Sequence, residues 1–220
     1  MWREHWGDKM YLERPMKGFI RDTAARLPAP GGGSVAALVG SLGAALLCMV
    51  GNYTVGKKQY EGVEDEVERI LKAADGRKDE LSSLVQEDIE AYQNYSRTSH
   101  MPKDTEEQKK TRSEALERSL KEAALVPLKT SQLSLRVIEL AEEILPLGNP
   151  HLISDVGVGA LLAEAALEAA AINVQINLSY IKDSYFIKEK EDLISSCLSR
   201  GRKTAEEVVG KVTDEITQDR

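Results

Sequence analysis

A carboxylate stands among apolar residues on one predicted helix. Leu81, Val85, Asp88, Tyr92 and Tyr95 recur at spacings of three and four residues, which places them on one helix face. A carboxylate there needs a partner or takes a raised pKa. Buried acids with shifted pKa values cluster at functional sites, although structural ion pairs shift them too. Asp88 is therefore a candidate acid–base group, with a structural ion pair as the alternative.

Two amides on a later helix form a second candidate pair. That helix carries one narrow polar stripe along an otherwise apolar surface, made of Glu164, Glu168, Gln175 and Lys182. Asn173 and Asn177 lie opposite the stripe, one turn apart, where we expect burial to be deepest. A buried amide without partners costs about 1–3 kcal/mol. Asn173 and Asn177 therefore either tie helices together or face a ligand.

A glycine-rich loop, PAPGGGS, precedes another predicted helix. Gly31, Gly32 and Gly33 let a ligand approach the backbone, and free N–H groups at a helix start bind anions or carbonyl oxygens. Ser34 follows them as the expected N-cap, and we count it with the three glycines among the candidate substrate-binding residues. The loop lacks the lysine of a phosphate-binding P-loop, and no predicted strand precedes it, which argues against a nucleotide site.

The composition favours a helical protein. The chain has 220 residues, with 42% apolar and 30% charged residues, and alanine, leucine, glutamate and lysine dominate. We find no repeat and no low-complexity linker, so residues 1–220 are predicted to form a single domain. The uncharged segment 34–53 is long enough to span a membrane, but it is rich in Ala, Gly and Ser, and we expect a buried core helix.

Charge and cysteine content exclude several classes of protein. The net charge is −7 and no dense Lys/Arg run occurs, which argues against a nucleic-acid binder. Cys48 and Cys197 have no C-x-x-C partner, so neither a disulfide scaffold nor a zinc site is expected. His5, His100 and His151 share no metal-ligand spacing, and no metal is predicted. The first 14 residues do not resemble a signal peptide, so the expected location is a reducing cytoplasm.

Six helical segments joined by short loops are predicted, which indicates an all-α antiparallel bundle. Gly76 is expected to loosen the third, Pro127 to kink the fourth, and Ser154 or Asp155 to cap the fifth. Small residues recur every four positions on the second, which indicates either tight packing within one subunit or a subunit interface. The segments are 16–26, 34–55, 60–99, from 104 or 105 to about 146, 154–182 and 185–216.

Six sequence motifs occur along the chain in a fixed order. They are PGGGSVAALVG, MVGNYTVGKKQY, EDIEAY, MPKDTEEQKKTR with AALVPL, GNPHLISDVGVGALLAEAAL and INVQINLSYIKD. Together these motifs resemble the cyclodeaminase family, and the resemblance covers about residues 16–183. That family includes the C-terminal domain of the bifunctional formiminotransferase-cyclodeaminase and stand-alone proteins, some of which act as methenyltetrahydrofolate cyclohydrolases.

The resemblance implies an all-helical homodimer that acts on a tetrahydrofolate in one-carbon metabolism. The expected reaction is closure of 5-formiminotetrahydrofolate to the 5,10-methenyl form with release of ammonia. The alternative is hydrolysis of the methenyl form, and an alternative of another class is a non-catalytic folate-binding or scaffold protein. Neither reaction requires a metal or a cofactor beyond the folate. Two departures from the family pattern leave the substrate open: Tyr53 stands where leucine is common, and Glu168-Ala169 where a basic residue and glycine are usual.

The rise per residue divides the candidates into two clusters, at opposite ends of the predicted bundle. One contains the glycine loop with Asp88, Asn173 and Asn177. The other contains Lys57, Asn149 and Asp155, with Lys57 and Asp155 as further catalytic candidates and Asn149 as a substrate-binding one. Lys57 equally suits a role in neutralising a helix C-terminus, and Asp155 a role as an N-cap. Either a dimer joins the clusters across its interface or one cluster is structural.

Overall fold

The fold is all-α in the part of the chain that the computed structural model describes, residues 10–218. It contains six α-helices and three short 3₁₀ turns, and no strand occurs between residues 10 and 218. The predicted fold class is confirmed. The helices are α1 (Met16–Thr23), α2 (Gly32–Asn52), α3 (Glu64–Ser99), α4 (Glu106–Ile144), α5 (Ile153–Leu178) and α6 (Ser184–Gln218).

The bundle is built around α2, α4 and α5. Helix α2 packs between α3 and α5, and α4 contacts α3, α5 and α6. Helices α2 and α5 run in opposite directions, because Gly32 faces Asn173 while Gly43 faces Gly159. The glycine loop therefore lies at the end of the bundle where α5 finishes, and the start of α5 lies at the other end.

Small residues bring α2 and α5 unusually close. A methyl group on Gly43 would lie 2.8 Å from the Gly159 carbonyl oxygen, and one on Gly40 would lie 3.2 Å from Cβ of Ala166. Ala36 and Ala44 are also buried. The small-residue pattern of α2 therefore provides tight packing within one subunit, as the first of the two interpretations held.

The predicted caps of two helices are wrong. Gly31, in extended conformation, is the N-cap of α2, and Ser34 lies inside the first turn. Leu152 is the N-cap of α5, because Pro150–Leu152 already turns as a 3₁₀ helix that Asn149 caps with its side chain. The start of α4 is as predicted: Thr105 and Gln108 form a capping box.

Several helix ends also differ from the prediction. Helix α2 ends at Asn52 rather than at residue 55, and a 3₁₀ segment, Lys58–Val63, occupies what was predicted as the start of α3. Helix α5 ends at Leu178 rather than near residue 182. Helix α3 continues unbroken through Gly76, and α4 continues through Pro127.

Helix α2 is long and apolar enough to cross a membrane, but 61% of its most apolar window is buried inside the fold. A core helix meets the same criteria of length and composition.

Cys48 and Cys197 are buried free thiols, and burial raises the pKa of Cys48 to about 11. His100 and His151 are exposed, and His5 lies outside the described residues. Within residues 10–218, no group of three His, Cys, Asp or Glu side chains is placed to hold a metal ion.

Candidate active site

The carboxyl group of Asp88 lies against the first turn of α2. The Ser34 hydroxyl donates a hydrogen bond of 2.7 Å to Oδ2 of Asp88, across 54 residues of sequence. A methyl group on Gly33 would lie 2.1 Å from Oδ1 and 2.6 Å from Cγ of the same carboxyl. Asp88 therefore reaches the helix N-terminus because residue 33 has no side chain, and its predicted position beside the glycine loop is confirmed.

Opposing effects set the pKa of Asp88. Burial raises it above the ordinary carboxyl value, while hydrogen bonds from the hydroxyl and the backbone of Ser34 lower it. Burial is the larger effect, so the net pKa is raised. No charged residue occurs in α2, and no charged side chain contributes to the shift. A carboxyl group in this state exchanges protons closer to neutral pH than an exposed aspartate does.

Asn173 faces the same turn from α5. A methyl group on Gly32 would lie 3.4 Å from Nδ2 and 3.5 Å from Oδ1 of Asn173. The amide nitrogen donates to the Ala169 carbonyl oxygen at 2.8 Å, and no hydrogen bond from the described residues reaches Oδ1. The structure thus brings Asn173 together with Gly32, Gly33 and Asp88, and leaves one amide oxygen available to a ligand.

The amide of Asn177 has a structural partner. Its Nδ2 donates to the Ala123 carbonyl oxygen on α4 at 2.9 Å. Ala123 lies four residues before Pro127, and proline has no N–H with which to complete that helical hydrogen bond. Asn177 therefore supplies the donor that Pro127 lacks. This matches the interpretation of Asn177 as an amide that ties helices together.

The burial predicted for both amides is wrong in degree. Asn173 and Asn177 are half-buried, whereas the fully buried face of α5 is formed by Ala163, Ala166, Ala170 and Val174. The buried face of α5 is therefore rotated away from the position directly opposite the polar stripe, and the side chains at positions 173 and 177 stand at its margin. A half-buried amide is better placed to meet a ligand than a fully buried one.

The second predicted cluster lies at the other end of the bundle, where α2 finishes. The backbone N–H of Asn149 donates to Oγ1 of Thr54 at 2.9 Å, and its side chain accepts from the His151 N–H at 3.1 Å. Asn149 also lines a cavity of about 380 Å³, together with Tyr60 and Gly148. Asn149 therefore closes the turn before α5 and borders an open space.

Lys57 and Asp155 are not joined by the structure. Lys57 is exposed, and its Nζ lies 5.5 Å from the ring centroid of Tyr53. Asp155 lies half-buried in the first turn of α5, where the helix dipole favours a carboxylate. No hydrogen bond or ion pair within residues 10–218 connects Lys57 to Asp155, and neither lines the 380 Å³ cavity. One subunit therefore does not assemble this cluster into a single pocket.

Comparisons with known proteins assign the family. The chain belongs to the formiminotransferase-cyclodeaminase family, whose model matches residues 15–196. It is 37% identical over 198 residues to the methenyltetrahydrofolate cyclohydrolase of Methylorubrum extorquens, covering 88% of this chain and 95% of that protein. The formimidoyltransferase-cyclodeaminase of Mus musculus is 34% identical over 205 residues, but this chain, 93% of which is covered, spans only 38% of the mouse protein.

A solved structure supports the same assignment. The crystal structure of formiminotetrahydrofolate cyclodeaminase from Thermotoga maritima matches with a TM-score of 0.73 and 34% identity, covering 90% of this chain and 99% of that one. The predicted family is confirmed, and the chain is an enzyme of the folate cyclodeaminase and cyclohydrolase family.

One departure from the family pattern has a local partner. Glu168 stands where the family resemblance leads us to expect a basic residue, and it pairs with Arg202 of α6 through two hydrogen bonds, the second at 2.7 Å. Glu168 and Arg202 lie on the polar stripe side of α5, away from Asp88. The departure at position 168 is therefore accommodated by α6 rather than by the candidate site.

Proposed function

We propose that the chain is a formiminotetrahydrofolate cyclodeaminase. The proposal depends on one observation above all: the Asp88 carboxyl group, with a raised pKa, lies at the open first turn of α2 beside Asn173. Cyclodeamination requires a group that takes a proton from the attacking nitrogen and gives a proton to the leaving nitrogen, and a carboxyl group with a raised pKa suits this double role. Hydrolysis of the methenyl form needs the same two kinds of proton transfer. Cyclodeamination is proposed first because the T. maritima cyclodeaminase is 34% identical to this chain over 99% of its own length.

The proposed reaction uses Asp88 as a proton shuttle. N10 of the folate attacks the carbon of the formimino group, which enters the reaction in its protonated amidinium form with two hydrogens on nitrogen, and the Asp88 carboxylate takes the proton that N10 loses. Asp88 then gives this proton to the formimino nitrogen, the bond between that nitrogen and the carbon breaks, and ammonia leaves. The restored carboxylate stands beside the 5,10-methenyl cation and stabilises its positive charge. The nucleophile is tethered within the substrate, so holding N10 near the formimino carbon is the main remaining task.

The glycine loop and Asn173 are proposed to hold the pteridine. Backbone N–H groups at the start of α2 have no helical partner, and Gly31, Gly32 and Gly33 keep side chains away from them. The free Oδ1 of Asn173 accepts a hydrogen bond from a folate N–H. Lys57, Asn149 and Asp155 lie at the other end of the same subunit. We propose that they contact the substrate only if a second subunit brings them to Asp88.

Methenyltetrahydrofolate cyclohydrolase is the second candidate function. It is favoured by the 37% identity to the M. extorquens protein of that name over nearly its whole length. In that reaction a water molecule attacks the same carbon and Asp88 takes one of its protons. Asp88 then gives this proton to N5, the bond between N5 and the carbon breaks, and the remaining hydroxyl proton leaves to solvent as the formyl group forms. We propose that neither reaction needs a cofactor beyond the folate, and we propose a cytoplasmic location for both.

A paired assay separates the two functions. The methenyl form absorbs light, so its absorbance follows both reactions. A gain of absorbance from 5-formiminotetrahydrofolate reports cyclodeamination. A loss of absorbance from 5,10-methenyltetrahydrofolate, faster than the uncatalysed loss, reports hydrolysis. We expect catalysed appearance to exceed catalysed loss. Asp88→Asn should lower turnover at least about 10²-fold while the melting temperature changes little. Asp79→Asn, on the exposed face of α3, is the matched control. Near-normal turnover in Asp88→Asn would exclude Asp88 from the chemistry.

We also propose that the enzyme is a homodimer that pairs through α2 and α5. An apolar stripe runs along the outer face of α5 at helical spacing, with Val158 46%, Leu161 48%, Ile172 64% and Ile176 51% exposed. On α2, which packs against α5, Leu42 is 42% exposed. Single exposed apolar residues are ordinary, but a stripe the length of a helix is typical of an interface. A second copy of the chain has the same apolar stripe, so the two stripes can cover each other in a homodimer.

The oligomeric state tests this proposal. We expect light scattering to give a dimer at micromolar concentration, with a mostly apolar interface above about 1,600 Å². Leu161→Glu should shift the equilibrium towards monomer. Ile216→Glu, an equally exposed apolar position on α6, should not. A wild-type monomer would overturn the proposal.

A further inference from the structure

Ser34 uses its hydroxyl in a way that its helical position does not require. Serine and threonine inside helices usually donate to the carbonyl three or four residues earlier. Ser41 donates to Leu38 and Ser131 to Pro127 in this way. The Ser34 hydroxyl instead donates across the helix pair to Asp88, and the Ser34 side chain is fully buried. A fully buried hydroxyl is committed to its protein partner rather than to a substrate.

The two oxygens of the Asp88 carboxyl group are consequently inequivalent. Oδ2 accepts the hydrogen bond of the Ser34 hydroxyl, whereas no side-chain hydrogen bond from the described residues reaches Oδ1. The backbone of Ser34 also donates to the carboxyl group. Gly33 allows Oδ1 to lie over the first turn of α2, where any larger residue would displace it. The half-buried carboxyl group thus has one oxygen that a side chain holds in place and one oxygen without a side-chain partner.

We propose that Ser34 is a positioning residue, which holds Oδ2 of Asp88 so that Oδ1 is the oxygen that exchanges the proton with the folate. The inference rests on the proposed function, because it assigns the roles of the two oxygens in that reaction. Ser34 acts through Asp88 and does not touch the substrate. A side chain whose rotamer is locked by such a contact meets the near-attack geometry more often than a free one.

The proposal also predicts the direction of a pH effect. The Ser34 hydrogen bond stabilises the ionised form of Asp88, so its loss raises the pKa of the carboxyl group further. Ser34 and Gly33 face the Asp88 carboxyl group from α2, and no charged side chain of any neighbouring element contributes to its pKa shift. Because the first step needs the carboxylate, the acidic limb of the kcat profile should move to higher pH in the absence of Ser34.

The experiment measures kcat against pH for three variants. Ser34→Ala should move the acidic limb upward by about one pH unit and lower kcat about tenfold, with little change in KM. Ser41→Ala, which removes a buried hydroxyl bonded within α2, is the matched control and should leave the limb in place. Ser34→Thr restores the hydroxyl and should bring the limb back towards the wild-type position.

The outcomes separate this inference from the proposed function. If Asp88→Asn retains turnover, the proposed function fails, and the role of Ser34 fails with it. If Asp88→Asn is inactive but Ser34→Ala keeps the wild-type acidic limb, only the positioning role is overturned. Equal shifts in Ser34→Ala and Ser41→Ala would likewise overturn it, because they would reflect a general loosening of α2.

Discussion

Gly33 determines where the carboxyl group of Asp88 lies. The 81-85-88-92-95 spacing was enough to predict that Asp88 faces inward, and the glycine run was enough to predict an open backbone. The hydrogen bond from Ser34 was not predictable from local pattern, because Ser34 is 54 residues away and is typical of an N-cap. Helix α2 starts at Gly32, two residues before the predicted start, so the Ser34 hydroxyl is not needed as an N-cap and bonds to Asp88 instead.

Substitutions at Gly32 and Gly33 should separate binding from catalysis. An alanine at position 33 would place a methyl group 2.1 Å from Oδ1 of Asp88, so the carboxyl group must move and kcat should fall about as far as in Asp88→Asn. An alanine at position 32 meets only ordinary contacts with Asn173, so the fold is kept while folate binding weakens. Steady-state kinetics with melting curves would check this, and identical effects of the two variants would contradict it.

The pH dependence of stability should also change in Asp88→Asn. Burial raises the folded-state pKa of Asp88 above the unfolded value of about 3.9, so the folded state binds more protons between the two values. The contribution of Asp88 to the free energy of unfolding therefore falls as pH rises through this window and is constant above the folded-state pKa. The amide of Asp88→Asn does not titrate, so the free energy of unfolding of the variant lacks this dependence on pH.

Denaturant unfolding of both proteins at several pH values measures this difference. The free energy of unfolding of the wild type minus that of Asp88→Asn should decrease as pH rises from the unfolded-state pKa of Asp88 to its folded-state pKa. An increase would mean that the Ser34 hydrogen bonds and the helix dipole outweigh burial, and that the pKa of Asp88 is lowered.

At the level of the helices, proline 127 shows what periodicity alone misses. Helix α4 continues through Pro127 because a side chain on α5 satisfies the carbonyl that proline leaves without a donor. The sequence contains the signal, since a proline in a long helix implies an unpartnered carbonyl four residues earlier. It does not say which neighbouring helix supplies the donor. The helix ends at Asn52 and Leu178 were also missed, because apolar periodicity continues beyond both.

Asn177→Ala should therefore destabilise the protein in a way that depends on Pro127. Removal of the amide leaves the Ala123 carbonyl without a partner, at a cost of about 1–3 kcal/mol. In a Pro127→Ala background the backbone N–H of residue 127 provides a donor, and the cost should fall by about 1 kcal/mol. Asn173→Ala is the matched control, since its amide bonds to Ala169 of its own helix. Equal costs in both backgrounds would contradict the pairing.

For the whole molecule, the sequence was sufficient to place the candidate residues at opposite ends of the bundle. Asp88 and Asn173 lie where α2 begins, and Asn149 lies where α2 ends, about 30 Å away along a 21-residue helix. What the pattern of a single chain does not contain is the arrangement of a second copy. In the proposed homodimer, a two-fold axis perpendicular to the bundle would reverse one subunit relative to the other and set the Asp88 end of one beside the Asn149 end of its partner.

Mixed dimers would test whether the two ends form one active site. In this arrangement Asp88→Asn and Asp155→Asn damage the same site from different subunits, so each variant alone should be inactive. Random pairing makes about half of the dimers mixed, each with one intact site of two, so co-refolding the two variants should restore about a quarter of wild-type activity. Asp88→Asn mixed with Asn173→Ala is the control and should regain nothing, because both residues lie at the same end of one subunit. Full activity of Asp155→Asn by itself would instead make the first turn of α5 structural, with its carboxylate stabilising only the helix N-terminus.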